Sequence, residues 1–126
     1  MRKKILVVDD EAGFTSMLKL NLEATGNYDV WVENDPHHAY RSALQCKPDL
    51  ILLDIIMPRV EGPDVAFQIR NSEALREIPI IFLTATVTKE EVDSQKGRIG
   101  GHSFVAKPSS LADLLDSIEK NLEAIC

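Results

Sequence analysis

Four apolar runs spread along the chain each stop abruptly on a polar residue. Ile5-Leu6-Val7-Val8 ends at Asp9-Asp10, Leu50-Ile51-Leu52-Leu53 at Asp54, Ile80-Ile81-Phe82-Leu83 at Thr84, and Phe104-Val105-Ala106 at Lys107-Pro108. Runs this short and this uniformly apolar suit strands buried on both faces, and such strands require helices on both sides of the sheet. If the strands are parallel, their carboxyl ends share one edge, where open α/β sheets hold their ligands. Three carboxylates, a hydroxyl and an ammonium from remote parts of the chain then converge on one place. Like charges at such distances repel, so the arrangement calls for a neutralising partner.

The segments between the runs alternate with them as helices. Glu11 to Thr25 carries Phe14, Met17, Leu18 and Leu22 at helical spacing, and Gly26 can close it in a left-handed turn. Tyr28-Asp29-Val30-Trp31-Val32 alternates as a strand near an edge of the sheet. Asp35-Pro36 supplies a cap and a first-turn proline for a helix through Ala39, Tyr40, Ala43 and Leu44 to Cys46, which Pro48 cannot continue. Gly62-Pro63 opens a third helix carrying Val65, Ala66 and Ile69. The weakest helical segment begins at Thr88 and ends among Gly97, Gly100 and Gly101. Ser109 or Ser110 caps a last helix with a stripe of Leu111, Leu114, Leu115, Ile118 and Leu122. Strand and helix thus recur about five times, giving a three-layer α/β/α sandwich around a five-stranded parallel sheet.

The chain's 126 residues form one domain, residues 1–126, long enough for one real core. A net charge of −6 argues against this domain gripping a nucleic acid backbone, which needs clustered Lys and Arg. No apolar run approaches the length of a membrane span. Arg2-Lys3-Lys4 precedes only a brief apolar stretch that ends in two aspartates, so export is not expected. Cys46 and Cys126 are far apart with no CxxC, as suits free thiols in a reducing cytoplasm.

Clustered oxygen ligands without histidine or cysteine suit Mg²⁺ or Mn²⁺ rather than zinc. The three carboxylates of Asp9, Asp10 and Asp54 carry −3, which one divalent cation and Lys107 would balance. Phosphoryl transfer demands little beyond positioning and charge neutralisation. In that chemistry Asp54 is the nucleophile, forming an aspartyl phosphate. Asp9 and Asp10 hold the metal, Lys107 pairs with one phosphoryl oxygen, and Thr84 donates a hydrogen bond to another.

The ordered set Asp9-Asp10, Asp54, Thr84-Ala85 and Lys107-Pro108 resembles the CheY-like receiver domain of two-component response regulators, over essentially the whole chain. Asp54-Ile55-Ile56-Met57-Pro58 followed by Gly62 is similar to that family's phosphorylation-site loop. The resemblance implies strand order 2-1-3-4-5 and a phosphorelay donor, a phosphohistidine on a sensor histidine kinase or phosphotransfer protein. It also implies that the Ile56 carbonyl joins Asp10 and Asp54 on the metal, with Asp9 acting largely through water. A switch is implied as well: Thr84 moves toward the phosphoryl group and the aromatic Phe104 rotates into the vacated space. The surface of the fourth helix, fifth strand and fifth helix then signals to a partner or an output domain, with phosphorylation-dependent homodimerisation a further implied outcome. Such a domain is a signalling module that assists its own phosphorylation and dephosphorylation, rather than an enzyme. Ile56 and Thr86, each two residues beyond a site residue, flank the phosphoryl group in this alignment. An apolar Ile56 cannot position an attacking water, so a long-lived phosphate is expected.

Three other readings are open to the residues. Haloacid dehalogenase-type phosphatases share Asp, Thr, Lys and a metal, but place their nucleophile early in a DxD context, whereas here the acidic pair comes first. A receiver used purely for docking would not need the complete acidic set. A flavin or nucleotide binder would need a phosphate-cradling loop after a strand, and the sequence has none. His37-His38 read as solvated helix residues and Trp31 as packing. Whether the chain acts as a stand-alone receiver or the first domain of a longer protein is left open.

Overall fold

Alternate side chains of the central strands enter opposite apolar layers, which is why the strand sequences look apolar throughout. Those strands belong to a computed structural model that describes residues 2–54, 56–57, 60–84, 98–99, 102–106 and 111–123. The major strands are β1 (Lys3–Val8), β2 (Tyr28–Glu33), β3 (Leu50–Asp54), β6 (Ile80–Thr84) and β8 (His102–Ala106). They lie in the order β2-β1-β3-β6-β8 and every pairing among them is parallel. Counted among themselves these five run 2-1-3-4-5, the order that the receiver-domain resemblance implies. Leu6, Val8, Ile51, Leu53, Ile80 and Phe82 face one layer, while Ile5, Val7, Leu50, Leu52, Ile81 and Leu83 face the other.

The first layer is closed by α2 (Ala39–Cys46) and α3 (Gly62–Arg70), through Ala39, Ala43, Val65, Ala66 and Ile69. The second is closed by α1 (Ala12–Ala24) and α4 (Leu111–Glu123), through Leu18, Leu22, Leu114 and Ile118. Met17, assigned above to the apolar pattern of α1, is instead half-exposed; Phe14, Leu18 and Leu22 make the contact with the sheet. Leu111 likewise lies at the rim of its helix stripe.

Helix ends follow local chemistry. Gly26 closes the turn after α1 at φ 82°, a conformation open to glycine without a Cβ penalty. Asp35 accepts a hydrogen bond from the His37 amide at 3.0 Å, but the turn it caps, Pro36–His38, is 3₁₀ before α2 proper begins. Lys47, left-handed at φ 48°, ends α2 ahead of Pro48. The Lys4 ammonium reaches the Cys46 carbonyl at 2.8 Å, a cation at a helix C-terminus, and sits 5.6 Å from the centroid of Trp31. Trp31 is half-exposed on this edge strand rather than packed inside.

Three short strands had no counterpart in the sequence reading. Ile56–Met57 (β4) and Val60–Glu61 (β5) form a small antiparallel ladder between β3 and α3, and Arg98–Ile99 (β7) pairs antiparallel with β8. Two-residue ladders are too short to show a period. Among the described residues the sheet is therefore six-stranded, five parallel and one antiparallel beyond β8. The fourth helical segment, from Thr88 to the glycines at 97, 100 and 101, lies outside the described residues, as do Ser109 and Ser110.

The other edge is guarded. In the β1–β2 ladder the Asn27 and Glu33 carbonyls accept from Lys3 and Asp9, which turns the backbone of Val30 outward. Glu23 of α1 accepts from the Val30 amide at 3.1 Å, and Lys19 of α1 donates to the Val30 carbonyl at 2.9 Å. Edge strands invite pairing by another chain, and occupying their polar groups blocks it.

Candidate acidic site

Parallel register sets the site. Val8 lies beside Leu53, and Leu53 beside Phe82, which lies beside Phe104. One residue further along, β1 has given way to Asp9, while β3 reaches Asp54 beside Leu83. The next position on β6 is Thr84, paired with Ala106. Asp9, Asp54 and Thr84 thus end their runs along one edge of the sheet.

Asp9, Asp10 and Asp54 each bring a carboxylate oxygen within 4.8 Å of the others. Asp9 is fully buried, Asp54 is 5% exposed, and Asp10 faces solvent. At such separations each ionised pair repels by about 3.5 kcal/mol at an effective dielectric of 20. The donor set is all oxygen, two of its members lie in the protein and one opens to water. That is the requirement of a hard divalent cation which keeps several waters, so the residues fit Mg²⁺ or Mn²⁺. Histidines 37 and 38 take no part. Both are half-exposed, with Nδ1 atoms 3.3 and 3.6 Å from the carboxylate of Asp35. The Asp35 carboxyl is held below its ordinary value mainly by the His37 amide, against a smaller opposing effect of desolvation. Burial pushes the Cys46 thiol upward, keeping it protonated at neutral pH.

Asp9 also closes the turn that leads into α1, its Oδ1 accepting from the Glu11 amide at 2.9 Å. Its own amide donates to the Glu33 carbonyl at 3.2 Å. Its carbonyl accepts at 2.8 Å from the side-chain amide of Asn34, which donates again to the Thr15 hydroxyl at 2.9 Å. Sequence reasoning passed over Asn34 and Thr15. Asn34 precedes the Asp35-Pro36 cap, which explained the polarity there, and Thr15 occupied an ordinary helical position.

Of the other expected site residues, Thr84 ends β6 beside Ala106, and Ile56 and Phe104 have backbone positions in β4 and β8. The side chains of these three, and all of Thr86, Lys107 and Pro108, lie outside the described residues.

A flavodoxin-like α/β/α domain with a carboxylate trio at the carboxyl edge of its sheet defines a class of signalling receivers related to CheY. The sequence matches the response regulator receiver domain over residues 5–119, and the chain belongs to that family, the phosphorelay receivers of two-component signalling. It is 41% identical over 111 residues to the alkaline phosphatase synthesis transcriptional regulatory protein PhoP of Bacillus subtilis, covering 87% of this chain and 44% of that protein. The chain therefore spans less than half the length of that relative. Among solved structures it is similar to the N-terminal domain of a response regulator receiver protein from Methanoculleus marisnigri, with TM-score 0.70, 30% identity and 94% of each chain covered. It is also similar to the receiver domain of a sensor histidine kinase from Pseudomonas aeruginosa, with TM-score 0.80, 27% identity, and 98% and 99% of the two chains covered. That structure has a magnesium ion coordinated in its active-site cleft. No helix among the described residues is long and apolar enough to cross a membrane.

Proposed function

We propose that this domain takes a phosphoryl group onto Asp54 from a phosphohistidine of a sensor kinase or phosphotransfer protein, and relays its presence to a downstream partner or output domain. The observation that carries this reading is the meeting of Asp54, nearly buried, with Asp9 and Asp10 at the sheet edge. An Asp54 carboxylate oxygen attacks phosphorus in line. The P–O bond forms as the P–N bond breaks, and the electron pair goes to the imidazole nitrogen, which takes a proton from water. Asp9, Asp10, Asp54 and the Ile56 carbonyl would hold Mg²⁺, with Asp9 acting largely through water, and the ion when bound supplies charge neutralisation for the transfer. The magnesium in the Pseudomonas relative supports that assignment.

Thr84 and Lys107 hold phosphoryl oxygens in this reading. Its support is that Thr84 follows the residue paired with Asp54, and that Ala106, the residue before Lys107, is paired with Thr84. Phe104 responds to Thr84 and carries the change to the surface built by the fourth helical segment, β8 and α4. Ile56 and Thr86 set the lifetime of the phosphate. This domain itself does not hold nucleic acid, as its net charge of −6 favours. It works in the cytoplasm as a phosphoacceptor rather than an enzyme, and phosphorylation favours a homodimer. Incubation with acetyl phosphate and Mg²⁺ followed by intact-mass measurement tests this. Wild type gains roughly 80 Da, one phosphoryl unit, and Asp54→Ala gains nothing; a wild type without the adduct leaves only a docking module.

A further inference from the structure

We propose that the side-chain amide of Asn34 is a positioning brace that fixes where Asp10 enters the acidic site. The inference rests on the reading of Asp9, Asp10 and Asp54 as a cation site, and assigns a role to a residue outside that set.

Asn34 follows β2, remote in sequence from both elements it joins. Its Nδ2 lies 2.8 Å from the Asp9 carbonyl oxygen and 2.9 Å from the Thr15 hydroxyl. A carbonyl oxygen only accepts, so the amide must present nitrogen there and not oxygen. Both N–H groups are then used. The buried Thr15 hydroxyl gives its own proton to the Ala12 carbonyl at 3.1 Å, leaving its lone pairs for Asn34. One amide thus ties the acidic turn to the first turn of the helix behind it.

The location of the tie gives it consequence. The Asp9 carbonyl and the Asp10 amide are two halves of one planar peptide unit. Holding that oxygen fixes ψ of Asp9 and φ of Asp10, and so the direction in which the Asp10 side chain leaves the backbone. The other bonds to Asp9, from Glu11 to its carboxylate and from its own amide to Glu33, fix Asp9 itself. Asp10 is exposed, so packing does little to aim its carboxylate. Residues that orient ligands in this way commonly change metal affinity tenfold or more when replaced.

Asn34→Asp separates this role from simple electrostatics, because the two predict opposite signs. The variant keeps the shape, turns the donor into an acceptor against the Asp9 carbonyl, and adds a negative charge beside the acidic trio. Charge alone would tighten cation binding; a broken brace weakens it. The test is titration of the whole chain with Mn²⁺, followed by electron paramagnetic resonance, for wild type, Asn34→Asp and Asn34→Ala. Leu44→Ala, in α2 away from the site, serves as a control for lost stability. Both Asn34 variants should bind Mn²⁺ roughly tenfold more weakly, while Leu44→Ala melts earlier but binds as wild type does. Equal or tighter binding by Asn34→Asp overturns the brace. A wild type that binds no Mn²⁺ defeats the cation-site reading instead. The brace is then decided by amide hydrogen exchange at Asp10 and Glu11 in metal-free protein, which Asn34→Asp should accelerate; unchanged exchange overturns it.

Discussion

Replacing Asp10 by Asn should make the metal-free protein more stable while making it less responsive to Mg²⁺. Asp10 contributes an oxygen within 4.8 Å of oxygens on both Asp9 and Asp54. At that distance an ionised pair repels by about 0.9 kcal/mol in water and about 3.5 kcal/mol at an effective dielectric of 20. Asp10 is exposed, so its two repulsions lie toward the lower figure and are further reduced by salt. Their sum is roughly 2 kcal/mol at low ionic strength, which in a domain of this size raises Tm by about 5–10 °C. Asn keeps the shape, so packing is not disturbed. Mg²⁺ reverses the comparison, because a bound ion stabilises the native state by RT ln(1 + [L]/Kd) and the variant has lost a ligand. The assay is thermal unfolding followed by circular dichroism, in EDTA and across a Mg²⁺ titration. Wild type should gain stability with Mg²⁺ and overtake Asp10→Asn. A variant that melts at or below wild type in EDTA, or gains as much from Mg²⁺, would refute the charge reasoning.

The Ile56→Asn, Thr86→Glu double variant should lose its phosphoryl group faster than wild type, because polar side chains there can place the attacking water; equal or slower decay in the variant removes the idea. Lys19→Ala with Glu23→Ala exposes the outward Val30 amide and carbonyl, and should raise self-association in sedimentation velocity runs at concentrations where wild type is unassociated. Unchanged sedimentation would mean that β2 needs no guard. Ile51→Ala, in the fully buried central strand, should lower stability by roughly 2–5 kcal/mol in urea unfolding without changing the mass gained on phosphorylation. A loss under about 1 kcal/mol would contradict the two-layer packing described for that strand.

The central sheet was legible because Leu50–Leu53 and Ile80–Leu83 are apolar without interruption, and only burial on both faces explains that. The meeting of Asp9 and Asp10 with Asp54 was legible for a topological reason: parallel strands deliver their ends to one edge whatever the sequence separation. Side-chain hydrogen bonding was not. Asn34 gives no sign in the sequence of which backbone carbonyl it will meet, since that depends on how β2 and α1 stack. Lys19 and Glu23 stand four residues apart on α1, a spacing that says nothing of the backbone of the neighbouring edge strand to which both turn. Met17 shows the limit of period counting, because a helical spacing tolerates an apolar residue just beyond the buried stripe. The two-residue strands β4, β5 and β7 hold no pattern that could have announced them.

The identity of the side chain that receives the phosphoryl group is the most direct test. Wild-type protein treated with acetyl phosphate and Mg²⁺, then digested and mapped by tandem mass spectrometry, should carry the modification on the peptide containing Asp54 and lose it when EDTA replaces the metal. Modification at His37 or His38, or at Asp54 with no dependence on a divalent cation, would contradict it.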